Sequence, residues 1–277
     1  MPTDPAADLK IDTLLDELTA LASRAAAEIL QVRQGAIGAR MKADASPVTL
    51  ADEASEALLL DGLARILPGV PVISEEATAR GGAVCVDTTF VLVDPLDGTR
   101  EFVAGRDEFT INIALIHARR PVAGLLAAPL RGRIWRAAAG RGASVVHVAA
   151  GEAPGKTTAV EPVRCRAWPA QPVALVSRSH LDANTEGFLA TCTPARVLAC
   201  GSALKFALIA QGEADIYPRL APTREWDIAA GDAIVAAGGG CVVDPQGEPL
   251  LYGGAERDFG VPGFIAWGDA ARAGKAA

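Results

Sequence analysis

The apolar run Phe90-Val91-Leu92-Val93 ends abruptly at Asp94-Pro95-Leu96-Asp97-Gly98-Thr99, which reads as a buried strand delivering a metal site. Such a run, with β-branched Val91 and Val93, suits a strand covered on both faces, although a buried helix segment has the same apolar pattern. Pro95 fixes its own φ and biases Asp94 toward extended backbone, so the strand is expected to break there into a rigid turn. Asp94, the Leu96 carbonyl and Asp97 can then face one point, with the Thr99 hydroxyl just beyond. Oxygen donors of this kind suit a hard cation such as Mg²⁺, which takes a few carboxylates and completes its shell with water and substrate phosphate. Taken alone, Asp-Gly is equally a turn signal.

The wider composition narrows the choice. A chain of 277 residues, 50% hydrophobic and 21% charged, is expected to fold as one large domain or two closely packed lobes rather than stay disordered. It contains no run of about 18 apolar residues, so no integral membrane segment is expected. The first residues lack the basic and apolar regions of a signal peptide, which points to the cytoplasm. A net charge of -7 disfavours nucleic acid, whose binding rests on Lys and Arg neutralising phosphates. A small anionic substrate stays compatible if metal ions reverse the local charge. Cys85, Cys165, Cys192, Cys200 and Cys241 form no Cys-x-x-Cys pair and are read as buried thiols. His117, His147 and His180 are far apart in sequence, which argues against a His-rich metal site.

Leu9, Ile11, Leu14, Leu15, Leu18, Leu21, Ala25, Ile29 and Val32 recur at helical spacing, with Thr3 or Asp4 as candidate caps. After a polar interval from Gln34 to Ala45, Ser46-Pro47-Val48-Thr49 leads into a second helix ending near Leu67, with Asp52 in its first turn. There an acid also serves simply to complement the helix dipole. Val70 to Ile73 reads as a short strand halted at Ser74-Glu75-Glu76, where the acids could form a solvated loop edge. Thr110 to Leu115 alternates polar and apolar residues, the pattern of an antiparallel strand with one buried face; Val122–Ala127 and Arg133–Ala137 extend that sheet. The interval Ala149 to Gln171 is the candidate boundary between a first lobe over about residues 1–150 and a second over about 171–277. Beyond it, Val173–Val176 and Asp215–Tyr217 read as strands and Ser202–Gln211 as a helix. Trp226–Ala237 reads as a small-residue helix that Asp227 opens as a candidate cap. Mixed sheets and helices imply a layered α/β architecture.

Acids thus terminate apolar segments at Glu75, Asp94 and Asp97 and stand at helix starts at Asp52 and Asp227. If they converge, they repel and raise one another's pKa unless cations neutralise them. Bound Mg²⁺ resolves this and supplies phosphoryl-transfer chemistry, with amides at Gly98 and Thr99 available to phosphate oxygens. The aspartate spacing of haloacid dehalogenase phosphatases is absent, since two residues rather than one separate Asp94 from Asp97. No P-loop pattern occurs either.

Four ordered segments, Ser46-Pro47-Val48-Thr49-Leu50-Ala51-Asp52, Ser74-Glu75-Glu76, Asp94-Pro95-Leu96-Asp97-Gly98-Thr99 and Trp226-Asp227-Ile228-Ala229-Ala230-Gly231, resemble the motifs of the inositol monophosphatase superfamily across nearly the whole chain. Arg100-Glu101-Phe102, Glu108 to Leu115, Ser177-Arg178-Ser179-His180, Gly201 to Phe206 and Tyr217-Pro218-Arg219 are similar to its 3′(2′),5′-bisphosphate nucleotidase branch. The resemblance implies a single unit with a five-layered αβαβα fold and an active site between lobes. It implies Mg²⁺-dependent removal of the 3′-phosphate of adenosine 3′,5′-bisphosphate, with action on its sulfated relative also open. By position, Glu75, Asp94 and the Leu96 carbonyl would bind one ion, and Asp94, Asp97 and Asp227 a second. A weaker third ion would lie near Glu75. Thr99, supported by Asp52, would activate water, and Leu96, Asp97, Gly98 and Thr99 would line the substrate phosphate along with Glu75 and Asp227. Lithium sensitivity, homodimer formation and peripheral attachment to the inner membrane are further family properties, none with a visible sequence signal here. Arg100 stands where the branch more usually has lysine, and Ala203 where serine is common. Arg178 and Lys205 are candidate phosphate contacts, each equally readable as a solvated charge or a helix-surface lysine. An inositol or sugar phosphatase of the same fold, and a catalytically silent anion- or metal-binding protein, are the competing readings.

Overall fold

A computed structural model of the chain describes residues 11–35, 37–42, 47–81, 86–155 and 158–273. The candidate caps Thr3 and Asp4, together with Leu9, Ser46 and Cys85, lie outside the described residues. Strands β1 (Arg40–Met41) and β2 (Pro47–Val48) form a short antiparallel pair. Then β3 (Val72–Ser74), β4 (Thr89–Asp97), β5 (Thr110–His117), β6 (Arg120–Ala128), β7 (Arg133–Ala138), β8 (Gly142–His147) and β9 (Val160–Val163) lie side by side in that order. Only β3 and β4 pair in parallel within this sheet.

The two-residue period of β4 sorts the core. Phe90 and Leu92 face one side with Ala114, Ile116 and Leu126, while Val91 and Val93 face the other with Ile111, Ile113 and Leu125. Both faces therefore need a cover. On the second face lie α1 (Ile11–Gln34) and α2 (Leu50–Ile66), which bury Leu14, Leu18, Leu21, Ile29, Leu59 and Leu63 against it. Each such leucine or isoleucine contributes about 1.5–3 kcal/mol of transfer free energy. Two single-turn helices, α3 (Glu75–Ala79) and α4 (Thr99–Val103), directly follow β3 and β4.

The second half supplies β10 (Val173–Ser177), β11 (Arg196–Cys200), β12 (Ile216–Arg219), β13 (Thr223–Arg224), β14 (Cys241–Val243), β15 (Gly260–Val261) and β16 (Phe264–Trp267), with helices α5 (Ala183–Cys192), α6 (Leu204–Ala210) and α7 (Glu225–Ala237). A five-stranded sheet has the order β11-β10-β12-β16-β14, and β13 pairs with β15. Helices α6 and α7 fill the space between the two large sheets. Ile228, Ala230 and Ile234 join Phe90 and Leu92 on one side and Tyr217, Phe264 and Ala266 on the other. Leu189 of α5 packs on the far face with Ala174, Val176, Ile216 and Ile265. The layers run αβαβα, as the resemblance implies. The fit of α7 depends on small residues, because a Cβ on Gly231 would stand 2.2 Å from Phe206 Cγ and one on Gly124 2.6 Å from the Ala230 carbonyl.

Several local expectations are corrected. Strand β4 does not break at Pro95 but continues to Asp97 through a bulge. Strand β5 is buried on both faces from Thr110 to Ile116, because its polar face meets α7 instead of water. Within the interval Ala149 to Gln171, β9 is the last strand of the larger sheet, and the chain passes after it to the second sheet. Of the four described cysteines, only Cys200 is fully buried; Cys165, Cys192 and Cys241 are partly exposed, and all four are free thiols. Among the described residues, no helix is long and apolar enough to cross a membrane.

Candidate active site

In a regular strand, residues three apart point to opposite faces. Asp94 pairs with Asn112 but Asp97 with Thr110, so Pro95 and Leu96 together oppose Ile111 alone. This extra residue is a β-bulge, a position that tolerates proline, and it restores Asp97 to the face of Asp94 while sending the Leu96 side chain into the α1/α2 core. Gly98 then takes φ 91, which L-residues resist, and opens α4 with Thr99 as its first residue. Asp94 is 1% exposed.

The other acids arrive on helix starts. Thr49 caps α2, and the amide and hydroxyl of Thr49 donate to Asp52 Oδ2 at 2.7 and 2.6 Å. This capping box fixes Asp52 with Oδ1 directed at Thr99, whose Oγ1 lies 3.1 Å from it and 3.1 Å from the Leu96 carbonyl. Asp227 is the third residue of α7, not its cap; it accepts from the Arg224 amide at 3.1 Å and from Thr223 Oγ1. Glu75 begins α3, and Glu75 and Glu76 are tied to Lys42 Nζ at 2.7 and 2.5 Å. With Glu76 buried and Glu75 at a cavity wall, the solvated loop edge is ruled out.

Glu75, Asp94, Leu96, Asp97, Gly98, Thr99, Asp227 and Lys205 line one cavity of about 190 Å³ between the sheets, with Asp52 behind Thr99. Arg178 is not on its wall. Its guanidinium makes a bidentate pair with Glu108, both bonds 2.7 Å, so the candidate phosphate contact is engaged elsewhere. Lys205 is not a helix-surface lysine: it is 2% exposed, donates to the Cys200 and Ser202 carbonyls at 3.0 and 2.5 Å and lies 4.8 Å from the Tyr217 ring centre. Arg219, Arg100 and His180, none of them a candidate site residue in the sequence, also line the cavity. Arg219 Nε is buried without an acceptor among the described residues. Burial, then the nearby charges of Arg219 and Arg100, lower the His180 pKa from 6.5 and keep its ring neutral at neutral pH.

The donor set is all oxygen, four carboxylates and a carbonyl, which fits a hard divalent cation. Among the described residues, no three His, Cys, Asp or Glu side chains stand close enough to hold an ion as they lie. Each acid has one oxygen fixed by a local donor: Glu75 by Lys42, Asp94 by the Leu96 amide at 3.0 Å and Asp97 by the Ala203 amide at 2.5 Å. Packed together and buried, the acids disfavour one another's ionised forms. Burial, then Glu75, Asp97 and Asp227, push Asp94 well above its ordinary range. Burial, then Asp227, carries Asp97 to about 6. Burial, opposed by Lys42 and reinforced by Asp227, carries Glu75 to about 8.

A pH dependence follows. An acid whose folded pKa exceeds its unfolded value binds more protons when folded, so stability falls as pH rises between the two values. The metal-free protein should lose thermal stability between pH 3.8 and about 6 through Asp97 and between 4.5 and about 8 through Glu75. Saturating Mg²⁺ should reduce that loss. Unfolding midpoints in chelator and in Mg²⁺, measured from pH 5 to 8, check this; parallel curves would contradict it.

The inositol monophosphatase family model matches residues 11–271. The 3′(2′),5′-bisphosphate nucleotidase CysQ of Escherichia coli (strain K12) is 40% identical over 253 residues, 91% of this chain and 98% of that protein. The crystal structure of CysQ from Bacteroides thetaiotaomicron superposes with a TM-score of 0.77 at 33% identity, covering 92% of this chain and 97% of that one. The IMPase of Thermotoga maritima, at 23% identity and a TM-score of 0.74 over 92% of each chain, shares the fold. A bulged strand that turns two acids onto one face, a capped helix that aims a third at a threonine and a match spanning both sheets agree with one another: the chain belongs to the inositol monophosphatase family.

Proposed function

We propose that the chain is a cytoplasmic, Mg²⁺-dependent 3′(2′),5′-bisphosphate nucleotidase that hydrolyses the 3′-phosphate of adenosine 3′,5′-bisphosphate to AMP and phosphate. The observation that carries this reading is the pairing, in one cavity, of an acid wall (Glu75, Asp94, Asp97, Asp227) with a cationic wall (Arg100, Lys205, Arg219). A single phosphate needs only the acid wall and its ions. A second phosphate on the same substrate accounts for the cations that share the cavity, and the flat, neutral His180 beside them suits a nucleotide. The 40% identity with a relative named for this activity supports the same assignment.

The acids and the Leu96 carbonyl would hold two to three ions, which supply positive charge to the phosphoryl oxygens and acidify a water. Thr99 supplies the rest of the water's environment. With its own proton directed to Asp52 Oδ1, Thr99 Oγ1 presents lone pairs to the cavity and takes a proton from the attacking water as it gives its own to Asp52. Asp52 is pinned through its other oxygen and is the acceptor of the Thr99 proton. Burial raises its pKa, opposed by the bonds from Thr49 and Thr99, which suits proton acceptance.

Arg219→Met tests the cationic wall. Losing a charge-assisted contact worth about 1.5–3 kcal/mol should raise KM for adenosine 3′,5′-bisphosphate about ten- to a hundredfold, with a much smaller change for a substrate bearing one phosphate. Equal losses on both would place Arg219 with the acids and remove the support for a second phosphate.

A further inference from the structure

We infer that Arg178 and Glu108 form a clamp that positions Asp97 from behind, through the turn Gly201-Ser202-Ala203; the inference rests on the proposed role of Asp97 as a metal ligand. Glu108 Oε2 accepts both Arg178 Nε at 2.7 Å and the Gly201 amide at 2.9 Å, while Oε1 accepts Arg178 Nη2 at 2.7 Å. Arg178 Nη2 also donates to the Ala199 carbonyl at 2.7 Å, which ties the guanidinium to the strand leading into the turn. Two residues after Gly201, the Ala203 amide donates to Asp97 Oδ2 at 2.5 Å. One carboxylate thus fixes the peptide that orients another.

Two further features give the clamp its purpose. Ser202 lies between the anchored Gly201 and the working Ala203 amide with φ 49, a left-handed conformation that is costly for a residue other than glycine and persists only where its surroundings over-determine it. The junction also has no slack. A Cβ on Gly201 would stand 2.7 Å from both Glu101 Cγ and the Glu108 carbonyl, and one on Gly98 2.9 Å from the Glu108 carbonyl and 3.2 Å from Ser202 Cβ. The Asp97-Gly98 turn, the Glu108 backbone and the Gly201-Ser202 turn therefore touch directly, so a shift of one is passed to the others. The pair is bidentate and charge-assisted, which fixes its geometry. It spans the layers, joining the segment before β5 to the end of β10 and the start of α6. Arg178 is on this view a positioning residue that acts through Asp97, not a group that touches substrate.

The test is Mn²⁺ binding to the full chain without substrate, read from the free-ion electron paramagnetic resonance signal, beside thermal unfolding and kcat. Folded Glu108→Ala should bind Mn²⁺ about tenfold more weakly and lose kcat by a similar factor, the lower end for losing support behind a metal ligand. Glu108→Gln keeps an oxygen for the Gly201 amide and should recover part of both; Arg178→Ala should lose less than Glu108→Ala in the same direction. A lowered unfolding midpoint with unchanged Mn²⁺ affinity would reduce the pair to a structural tie and overturn the inference. Should Glu108→Ala not fold, Arg178→Ala decides by the same readout: weaker binding supports the clamp and unchanged affinity overturns it. Asp97→Asn separates the two levels. If it weakens Mn²⁺ binding while the clamp variants do not, the clamp alone fails; if it leaves binding intact, the ligand role of Asp97 fails first.

Discussion

Asp94→Asn should lower Mg²⁺-dependent phosphate release by about a thousandfold, equivalent to about 4 kcal/mol of lost charge stabilisation, without unfolding the protein. Asp94 is the acid most enclosed by others: Glu75, Asp97 and Asp227 all raise its pKa after burial does. In the metal-free protein its charge is a liability. Because its folded pKa lies above 3.8, it lowers stability as pH rises beyond that value. Asparagine removes the liability and keeps its Oδ1 as an acceptor for the Leu96 amide. The unfolding midpoint of Asp94→Asn in chelator should therefore equal or exceed that of the unsubstituted chain, while the rise on adding Mg²⁺ disappears. Undiminished turnover, or an undiminished Mg²⁺-induced rise, would remove Asp94 from the ion site.

Thr99→Ala separates ion binding from water activation. It deletes the hydroxyl that lies between Asp52 Oδ1 and the Leu96 carbonyl and leaves every acid on the cavity wall. Proton transfer by a positioned group contributes about 10²–10⁴-fold, so kcat should fall within that range while Mn²⁺ affinity stays close to that of the unsubstituted chain. The same experiment on Asp52 is less clean, because Asp52 Oδ2 also closes the start of α2, and its loss would loosen the helix as well as the relay. A large loss of Mn²⁺ affinity in Thr99→Ala would make the hydroxyl a structural support for the Leu96 turn.

The chain order of the acids and the layered fold were legible in the sequence because each acid follows a recognisable local signal: an apolar run for Asp94, the first turn of a second helix for Asp52, a small-residue helix for Asp227. The bulge was not legible. Acids three apart in a strand read as opposite-facing or as a turn, and only the pairing of β4 with β5 shows that one extra residue restores a common face. The alternation of Thr110 and Asn112 with apolar neighbours pointed to water, whereas the structure turns it to α7, where Asn112 Nδ2 reaches the Trp226 carbonyl at 3.4 Å. Long-range ion pairs were equally hidden. Arg178 stood in a motif as a free cation, although its partner Glu108 lies 70 residues away in sequence. Lys42 fell in a polar interval that gave no hint of its contact with Glu75 and Glu76. Arg219 carried no local signal either, since its burial is set by the second sheet.

The most direct measurement is phosphate release from adenosine 3′,5′-bisphosphate and from inositol 1-phosphate, side by side, in Mg²⁺ and in chelator. The expected result is strong preference for the bisphosphate in Mg²⁺ and loss of release in chelator. Preference for inositol 1-phosphate would contradict the two-phosphate reading of the cavity while keeping its acid wall, and release that persists in chelator would contradict the role assigned to the acids.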